Sequence, residues 1–94
     1  MAVKVMIPTP LRAYAGKRES AEFEAKTVGE ALALLTRDFD ELRKHLFTED
    51  GNLRSFVNVY VNEEDIRYLS KENTPTKDGD IISIIPSIAG GSGL

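Results

Sequence analysis

One long segment of this chain has helical periodicity, and it lies between segments that alternate like β-strands. Thr27-Val-Gly-Glu30 has the form of a capping box, in which Thr27 and Glu30 hydrogen-bond to each other's backbone amides. Apolar residues then recur at spacings of three and four, at Val28, Ala31, Leu32, Leu35, Phe39 and Leu42. The pattern predicts one amphipathic helix of about three to four turns. Its predicted polar face holds Glu30, Thr36, Arg37 and Asp40. Gly29 is predicted to be tolerated there without a role.

Two segments before the helix predict a β-hairpin. Val3–Ile7 places Val3, Val5 and Ile7 on one face, and Pro8 and Pro10 end this strand. Glu19–Ala25 alternates in the same way, with Ala21, Phe23 and Ala25 inward. Arg12–Arg18, which contains Gly16, is the predicted turn of the hairpin.

The second half of the chain predicts further strands. Phe56–Val61 alternates, with Phe56 and Tyr60 on its outer face, and Ile81–Ile85 is the last strand. Leu46–Thr48 is predicted as a short strand, and Asn62–Thr76 as an acidic turn followed by irregular chain. The order strand, strand, helix, then strands predicts an α+β domain. We expect a β-grasp, ubiquitin-like fold, in which one main helix covers a mixed sheet of four to five strands.

The length of the chain, 94 residues, fits one domain. We assign residues 1–86 to that domain and residues 87–94 to a flexible C-terminal tail, because Gly and Ser replace charged residues after Pro86. The N-terminus lacks an uninterrupted apolar core, and no segment approaches the length of a membrane span. We therefore expect a cytoplasmic protein that does not bind membranes.

Composition excludes several kinds of chemistry. The chain has no cysteine and one histidine, His45, so it predicts no disulfide, thiol nucleophile or His-based metal site. The net charge of -3 argues against a nucleic-acid surface, although a partner could still meet a local basic patch.

The tail contains the most informative pair of residues, Gly90-Gly91. The six residues from Pro86 to Gly91 reach about 20 Å when extended, which is enough to enter a deep active site in another protein. Two residues without Cβ atoms pass through a narrow channel and leave a carbonyl open to nucleophiles. The alternative is that Gly-Gly-Ser-Gly-Leu is a cloning remnant or a frayed end.

A family resemblance rests on four features of the sequence: the order of elements, Phe56-Val-Asn-Val-Tyr-Val-Asn62 with Glu63–Arg67 after it, Asp78-Gly-Asp80 before an isoleucine-rich strand, and Ile88-Ala-Gly-Gly91. In these the chain resembles the ubiquitin-like sulfur-carrier proteins of the MoaD/ThiS superfamily. Within the superfamily it is most similar to the CysO-type carriers of cysteine biosynthesis. The resemblance covers residues 2 to 91.

The resemblance implies a function. An E1-like enzyme would use ATP to adenylate Gly91, with Gly90 behind it, and sulfur would replace the adenylate to give a thiocarboxylate. The chain would be a protein cosubstrate and not an enzyme, with no bound cofactor or metal. It departs from the family pattern because Ser92-Gly93-Leu94 follows the glycines. Cleavage between Gly91 and Ser92, by a JAMM-type metalloprotease, is the expected remedy.

Several alternatives stay open. Sulfur would go to cysteine biosynthesis, with a cysteine synthase or sulfurtransferase as partner, or to molybdopterin, thiamine or tRNA thiolation. A ubiquitin-like modifier joined to lysines and a purely structural module are functions of other classes.

An apolar surface is predicted to dock these partners. It comprises Met6, Phe56, Tyr60, Ile81 and Ile85, continued by Ile88 and Ala89 of the tail. The alternative is that a loop or a second copy covers it, or that it is ordinary surface.

Other polar residues are assigned structural roles. Asp78-Gly79-Asp80 is predicted as a turn, and Glu63–Asp65 as a solvated loop that could meet a partner's arginines. His45 is predicted to have a capping or surface role at the end of the helix.

Overall fold

The computed structural model describes residues 2–86 as a five-stranded sheet with helices packed against it. The elements are β1 (Ala2–Met6), β2 (Ser20–Glu24), α1 (Val28–Asp38), α2 (Arg43–Leu46), β3 (Val57–Val61), β4 (Glu64–Asp65) and β5 (Ile81–Pro86). The strand order is β2-β1-β5-β3-β4, with β1 and β5 parallel and the other neighbours antiparallel. The prediction of a mixed sheet of four to five strands covered by one main helix is confirmed, and the structure has five strands.

The core lies between α1 and one face of the sheet. Alternate residues of the three central strands are buried there, at Val3, Val5, Val57, Val59, Val61, Ile82 and Ile84. The helix contributes Val28, Ala31, Leu32 and Leu35, all fully buried. Each large aliphatic side chain removed from water contributes roughly 1.5–3 kcal/mol. Because successive side chains of a strand point to opposite faces, the residues between these buried ones lie on the outer face of the sheet.

Helix α1 begins as predicted but ends earlier. The Thr27 hydroxyl accepts a hydrogen bond from the Glu30 amide at 3.1 Å. The Glu30 carboxylate accepts from the Lys26 amide at 2.6 Å, one residue before the predicted partner. The helix stops at Asp38, and Leu42 reaches the core from a 3₁₀ turn at Asp40–Leu42. Thr36, predicted to be on the polar face, is buried and donates its hydroxyl hydrogen to the Leu32 carbonyl at 3.1 Å.

Gly29 has a packing role that the sequence did not indicate. A Cβ atom placed there would lie 3.1 Å from both the Cβ and the carbonyl oxygen of Glu72. Glu72 belongs to a 3₁₀ helix at Lys71–Asn73, so the absence of a side chain lets that segment lie directly on the first turn of α1. The prediction that Gly29 has no role was wrong.

Two connections also differ from the prediction. The strands β1 and β2 pair as expected, but a 3₁₀ helix at Thr9–Ala15 joins them, with Pro10 in its first turn. It ends at Gly16, whose φ is 63°. Leu46–Thr48 is not a strand: Leu46 ends α2, and only a single bridge joins Phe47 to Leu53. Short apolar segments do not distinguish a strand from a helix by periodicity.

The segment predicted as irregular contains regular pieces. Asn62 and Glu63 both have positive φ, 50° and 78°, and form a two-residue turn between β3 and β4. A 3₁₀ helix at Ile66–Tyr68 follows and buries Ile66 in the core. Within residues 2–86, no helix is both long and apolar enough to cross a bilayer.

Candidate functional site

The candidate site lies where β5 ends. Pro86 is the last residue of β5, a strand in the middle of the sheet between β1 and β3. The predicted tail residues Ile88, Ala89, Gly90, Gly91 and Ser92 lie outside the described residues. The described part of the candidate site is therefore the surface around Pro86.

Four of the predicted docking residues share the outer face of the sheet. Register places Ser83 of β5 opposite both Met6 of β1 and Tyr60 of β3. Ile81 and Ile85 lie two residues on either side of Ser83, on the same face, and are 43% and 49% exposed. The structure thus brings together Met6, Tyr60, Ile81 and Ile85, which we call the outer-face patch. That this patch docks a partner stays a prediction.

Phe56 does not belong to the same arrangement. It lies in the turn before β3, which begins at Val57, and it is 44% exposed. Its side chain lines a pocket of about 330 Å³ together with Leu11, Lys44, His45, Arg54 and Pro86. The strand predicted to begin at Phe56 starts one residue later, and Phe56 lies at the end of the sheet and not within it.

Pro86 also lines a second cavity. This groove of about 470 Å³ runs between the end of β1 and the end of β5, and it is lined by Met6, Ile7, Pro8, Thr9, Pro10, Arg12, Ser83, Ile84, Ile85 and Pro86. The Arg12 side chain is held by a hydrogen bond from its Nε to the Ile7 carbonyl at 3.0 Å. The groove therefore joins the outer-face patch to Pro86.

His45 lies in an environment that its sequence position did not predict. Its ring stacks on Tyr14, with centroids 4.2 Å apart and planes inclined by 28°. Its Nε2 atom is buried and has no hydrogen-bond partner among the described residues. His45 lies in the last turn of α2, as predicted, but α2 also turns its side chain toward the 3₁₀ helix that carries Tyr14, so the residue is half-buried and not on the open surface. No sequence pattern links the two residues.

The acidic cluster is partly paired within the chain. Asp65 accepts hydrogen bonds from the Arg67 guanidinium, the shortest at 3.0 Å from Nη2, and another from the Arg67 amide at 2.8 Å. The side-chain hydrogen bond from Arg67 is the main reason that the pKa of Asp65 lies below its ordinary value. Glu63 and Glu64 are exposed as predicted, but Asp65 is not a free carboxylate for a partner's arginine.

Asp78-Gly79-Asp80 is the predicted turn, with a further function in holding the sheet. Gly79 has a φ of 88°. Asp80 is buried and accepts hydrogen bonds from Asn62 Nδ2 at 2.8 Å and from the Lys77 amide at 2.9 Å. Asp78 Oδ1 accepts from the Ala2 amide at 2.9 Å. The turn thereby joins the starts of β1 and β5 to the end of β3. Residues 2–86 contain no group of three or more potential metal ligands.

Comparison with known proteins shows the family to which the chain belongs. Residues 5–91 match the model of the ThiS family, and the chain belongs to that family. It is 37% identical to the sulfur carrier protein CysO of Mycobacterium tuberculosis, over 97% of this chain and 100% of that protein.

Solved structures give the same assignment. A crystal structure of the Amycolatopsis orientalis BexX/CysO complex contains a chain with 38% identity and a TM-score of 0.85, covering 95% of this chain and 99% of that one. The solution structure of small archaeal modifier protein 1 from Methanosarcina acetivorans has 30% identity and a TM-score of 0.85, covering 96% of each chain. The β-grasp fold and the predicted resemblance to ubiquitin-like sulfur carriers are confirmed.

Proposed function

We propose that this protein is a sulfur carrier whose working group is the carboxylate of Gly91. The observation that carries the proposal is the family match, which ends at Gly91 and leaves Ser92-Gly93-Leu94 beyond it. Relatives that align over nearly the whole chain are named as sulfur carriers, which supports the same role. The absence of cysteine fits, because the sulfur must then travel on an end group or on a bound cofactor.

The carrier would be charged in two steps by an E1-like partner. A carboxylate oxygen of Gly91 attacks the α-phosphorus of ATP and expels pyrophosphate, forming an acyl adenylate. A sulfide-equivalent nucleophile then attacks the carbonyl carbon and AMP leaves, giving the thiocarboxylate. The chain itself is not an enzyme and binds no cofactor, since ATP is bound and used by the partner. Gly90 and Gly91 supply a narrow segment with an unshielded carbonyl.

Trimming would precede charging. Ser92-Gly93-Leu94 follow Gly91, so the carbonyl of Gly91 is part of a peptide bond and not of a free carboxylate. A JAMM-type metalloprotease would cut between Gly91 and Ser92 and release Ser-Gly-Leu. Only the shortened chain would then be a substrate for adenylation.

Partners would dock on the outer-face patch. Its isoleucines are about half exposed, and the groove beside Pro86 continues it toward the tail. Ile88 and Ala89 would extend the same contact, with Phe56 at its border. A relative has been crystallised in a complex with a second protein, which supports partner binding in this family.

The acceptor pathway that we propose is cysteine biosynthesis in the cytoplasm, with a cysteine synthase or sulfurtransferase receiving the sulfur. The similarity to CysO favours it over molybdopterin, thiamine or tRNA thiolation. A second candidate function is conjugation to lysines of other proteins. The structural match to a small archaeal modifier protein favours this second function.

The intact mass of the protein from its own cells tests the proposal. Trimming removes about 257 Da and replacement of oxygen by sulfur adds about 16 Da, so both are visible in one spectrum. A full-length, unmodified mass under sulfur demand would contradict the proposal.

A reconstituted reaction gives the matched comparison. With the E1-like enzyme and ATP, the chain ending at Gly91 is expected to support pyrophosphate release, and the chain ending at Leu94 is not. Equal release from both would show that trimming is not required. High-mass conjugates on a denaturing gel, lost on Gly91 deletion, would favour the modifier function.

A further inference from the structure

The two cavities beside Pro86 share an unusual charge. The groove contains Arg12, and the pocket contains Lys44 and Arg54. None of the residues that line these two cavities is Asp or Glu. The whole chain has fifteen acidic residues against twelve basic ones, so the lining of these two cavities has the opposite charge to the average. The positive charge is local, because Lys44 and Arg54 also line a neighbouring cavity that contains Asp40, Glu41 and Glu49.

These three cations are available for an external anion. Among residues 2–86, none of them takes part in an ion pair. The Nε atoms of Arg12 and Arg54 donate to the carbonyls of Ile7 and Lys44, at 3.0 and 2.8 Å. These bonds hold each guanidinium in place and leave its other N–H groups free. A guanidinium so held is suited to a carboxylate, which it binds through two parallel hydrogen bonds.

A second observation at the same pocket also indicates missing contacts. The buried Nε2 of His45 has no hydrogen-bond partner among the described residues. Most buried polar side-chain atoms in proteins have a partner, and each exception needs an explanation, such as a functional role or a bound water or ion. The apolar walls, Leu11 and Phe56, would exclude water from a group that enters the pocket.

We propose that Arg12, Lys44 and Arg54 form a cationic cradle that binds a carboxylate-bearing segment of the protein holding the C-terminal tail. The inference rests on the proposed function, because it takes the E1-like enzyme as that protein. Pro86 belongs to both cavities and is the residue from which the tail continues. A protein that encloses Gly90 and Gly91, four and five residues beyond Pro86, can therefore reach the cradle, and Asp or Glu side chains on it would match the charge of the cradle.

Lys44→Glu, made in the chain that ends at Gly91, is the decisive variant. Lys44 is exposed, and its side chain makes no hydrogen bond or ion pair with the described residues, so the fold should tolerate the change. Lys77→Glu is the matched control: it makes the same charge change on an exposed lysine before the opposite end of β5. The two ends of a six-residue strand are about 17 Å apart, beyond the screening length of about 8 Å at physiological salt.

The measurement is the Kd for the E1-like enzyme by calorimetry, with pyrophosphate release recorded on the same samples. We expect Lys44→Glu to raise Kd about tenfold at 50 mM salt and much less at 1 M salt, because salt screens the interaction. Lys77→Glu should stay within about twofold of the unsubstituted chain.

The other outcomes separate the two proposals. If the unsubstituted chain is adenylated, and Lys44→Glu binds the E1-like enzyme with the same Kd as the unsubstituted chain, the cradle is overturned and the proposed function stands. If both variants weaken binding equally, the effect comes from net charge and the cradle is again overturned. If the unsubstituted chain neither binds nor supports pyrophosphate release, the proposed function fails and the cradle fails with it.

Discussion

The two ends of β5 differ in how completely their polar groups are satisfied. At the Asp80 end, the Asp80 carboxylate accepts from Asn62 and from the Lys77 amide, and Asn62 also accepts from the Ile81 amide. At the Pro86 end, Arg12, Lys44 and Arg54 have no acidic partner among the described residues, and His45 Nε2 has no hydrogen bond there. We call them the closed end and the open end.

This difference between the closed end and the open end assigns them different roles: the closed end stabilises the fold, and the open end is available for binding. The hydrogen bonds of buried Asp80 and of Asn62 at the closed end help to fix the register of β1, β3 and β5, and so help to determine where Pro86 lies. Unsatisfied donors at the open end add nothing to the isolated fold but are available to another molecule. Substitutions at the closed end should therefore change unfolding, and those at the open end should change partner affinity.

The largest expected effect is at the closed end, from Asp80→Ala. The change removes a buried acceptor and leaves the part-buried Asn62 Nδ2 and Lys77 amide without a partner, which should lower the free energy of unfolding by about 1–3 kcal/mol. Urea unfolding followed by circular dichroism measures it. Asp78→Ala is the control, since exposed Asp78 accepts one hydrogen bond from the Ala2 amide and should lose less than about 1 kcal/mol. Similar losses in both variants would show that burial of Asp80 does not matter and would remove the contrast between the ends.

His45→Phe tests the open end and should have a smaller effect of opposite sign. Phenylalanine keeps the aromatic stack on Tyr14 and removes the unpartnered nitrogen, so the free energy of unfolding should stay constant or rise by up to about 1 kcal/mol. The same urea experiment measures it. His45→Ala, which loses the stack as well, should be less stable than His45→Phe. A loss of more than about 1 kcal/mol in His45→Phe would mean that the nitrogen has an internal partner and that this end is closed too.

The elements that the sequence predicted correctly are those whose sequence pattern is local. The α1 cap at Thr27 and the alternation in β1 and β5 each depend on residues within a few positions of one another, so periodicity alone locates them. The Gly-Gly pair was found in the same way, from its distance to the last strand.

The parts that it missed depend on contacts between distant segments. Gly29 lets Glu72, 43 residues later, approach closely, and nothing in the sequence of the first turn of α1 indicates that approach. The stack of Tyr14 on His45 joins a 3₁₀ helix to α2, and the charge at the open end comes from three separate segments. The unpartnered His45 nitrogen, a component of the site, therefore becomes visible only in three dimensions.

The smallest expected effect is at the exposed edge of the sheet, from Asp65→Asn. Asp65 lies opposite Tyr60 in register, and its pKa is lowered from 3.8, chiefly by the side-chain hydrogen bond from Arg67. Above pH 4 the carboxylate is charged in both folded and unfolded chains, so its stabilising contribution is fully present. As the pH falls through the lower pKa of the folded state, the folded carboxylate takes up a proton and the contribution is lost.

The difference in melting temperature between the unsubstituted chain and Asp65→Asn should therefore be largest above pH 4 and shrink toward pH 2. Asparagine keeps an oxygen to accept from the Arg67 amide, so the comparison isolates the charge. Arg67→Gln should remove the same pH-dependent component, because it takes away the main cause of the lowered pKa. Since Arg67 is exposed and its charge is solvated, the effect of losing the pair should be smaller than that of Asp80→Ala. If Asp65→Asn instead lowered the stability more than Asp80→Ala, an ion pair at the edge of the sheet would stabilise the fold more than the buried carboxylate of the closed end. The contrast between the two ends of β5 would then not depend on burial.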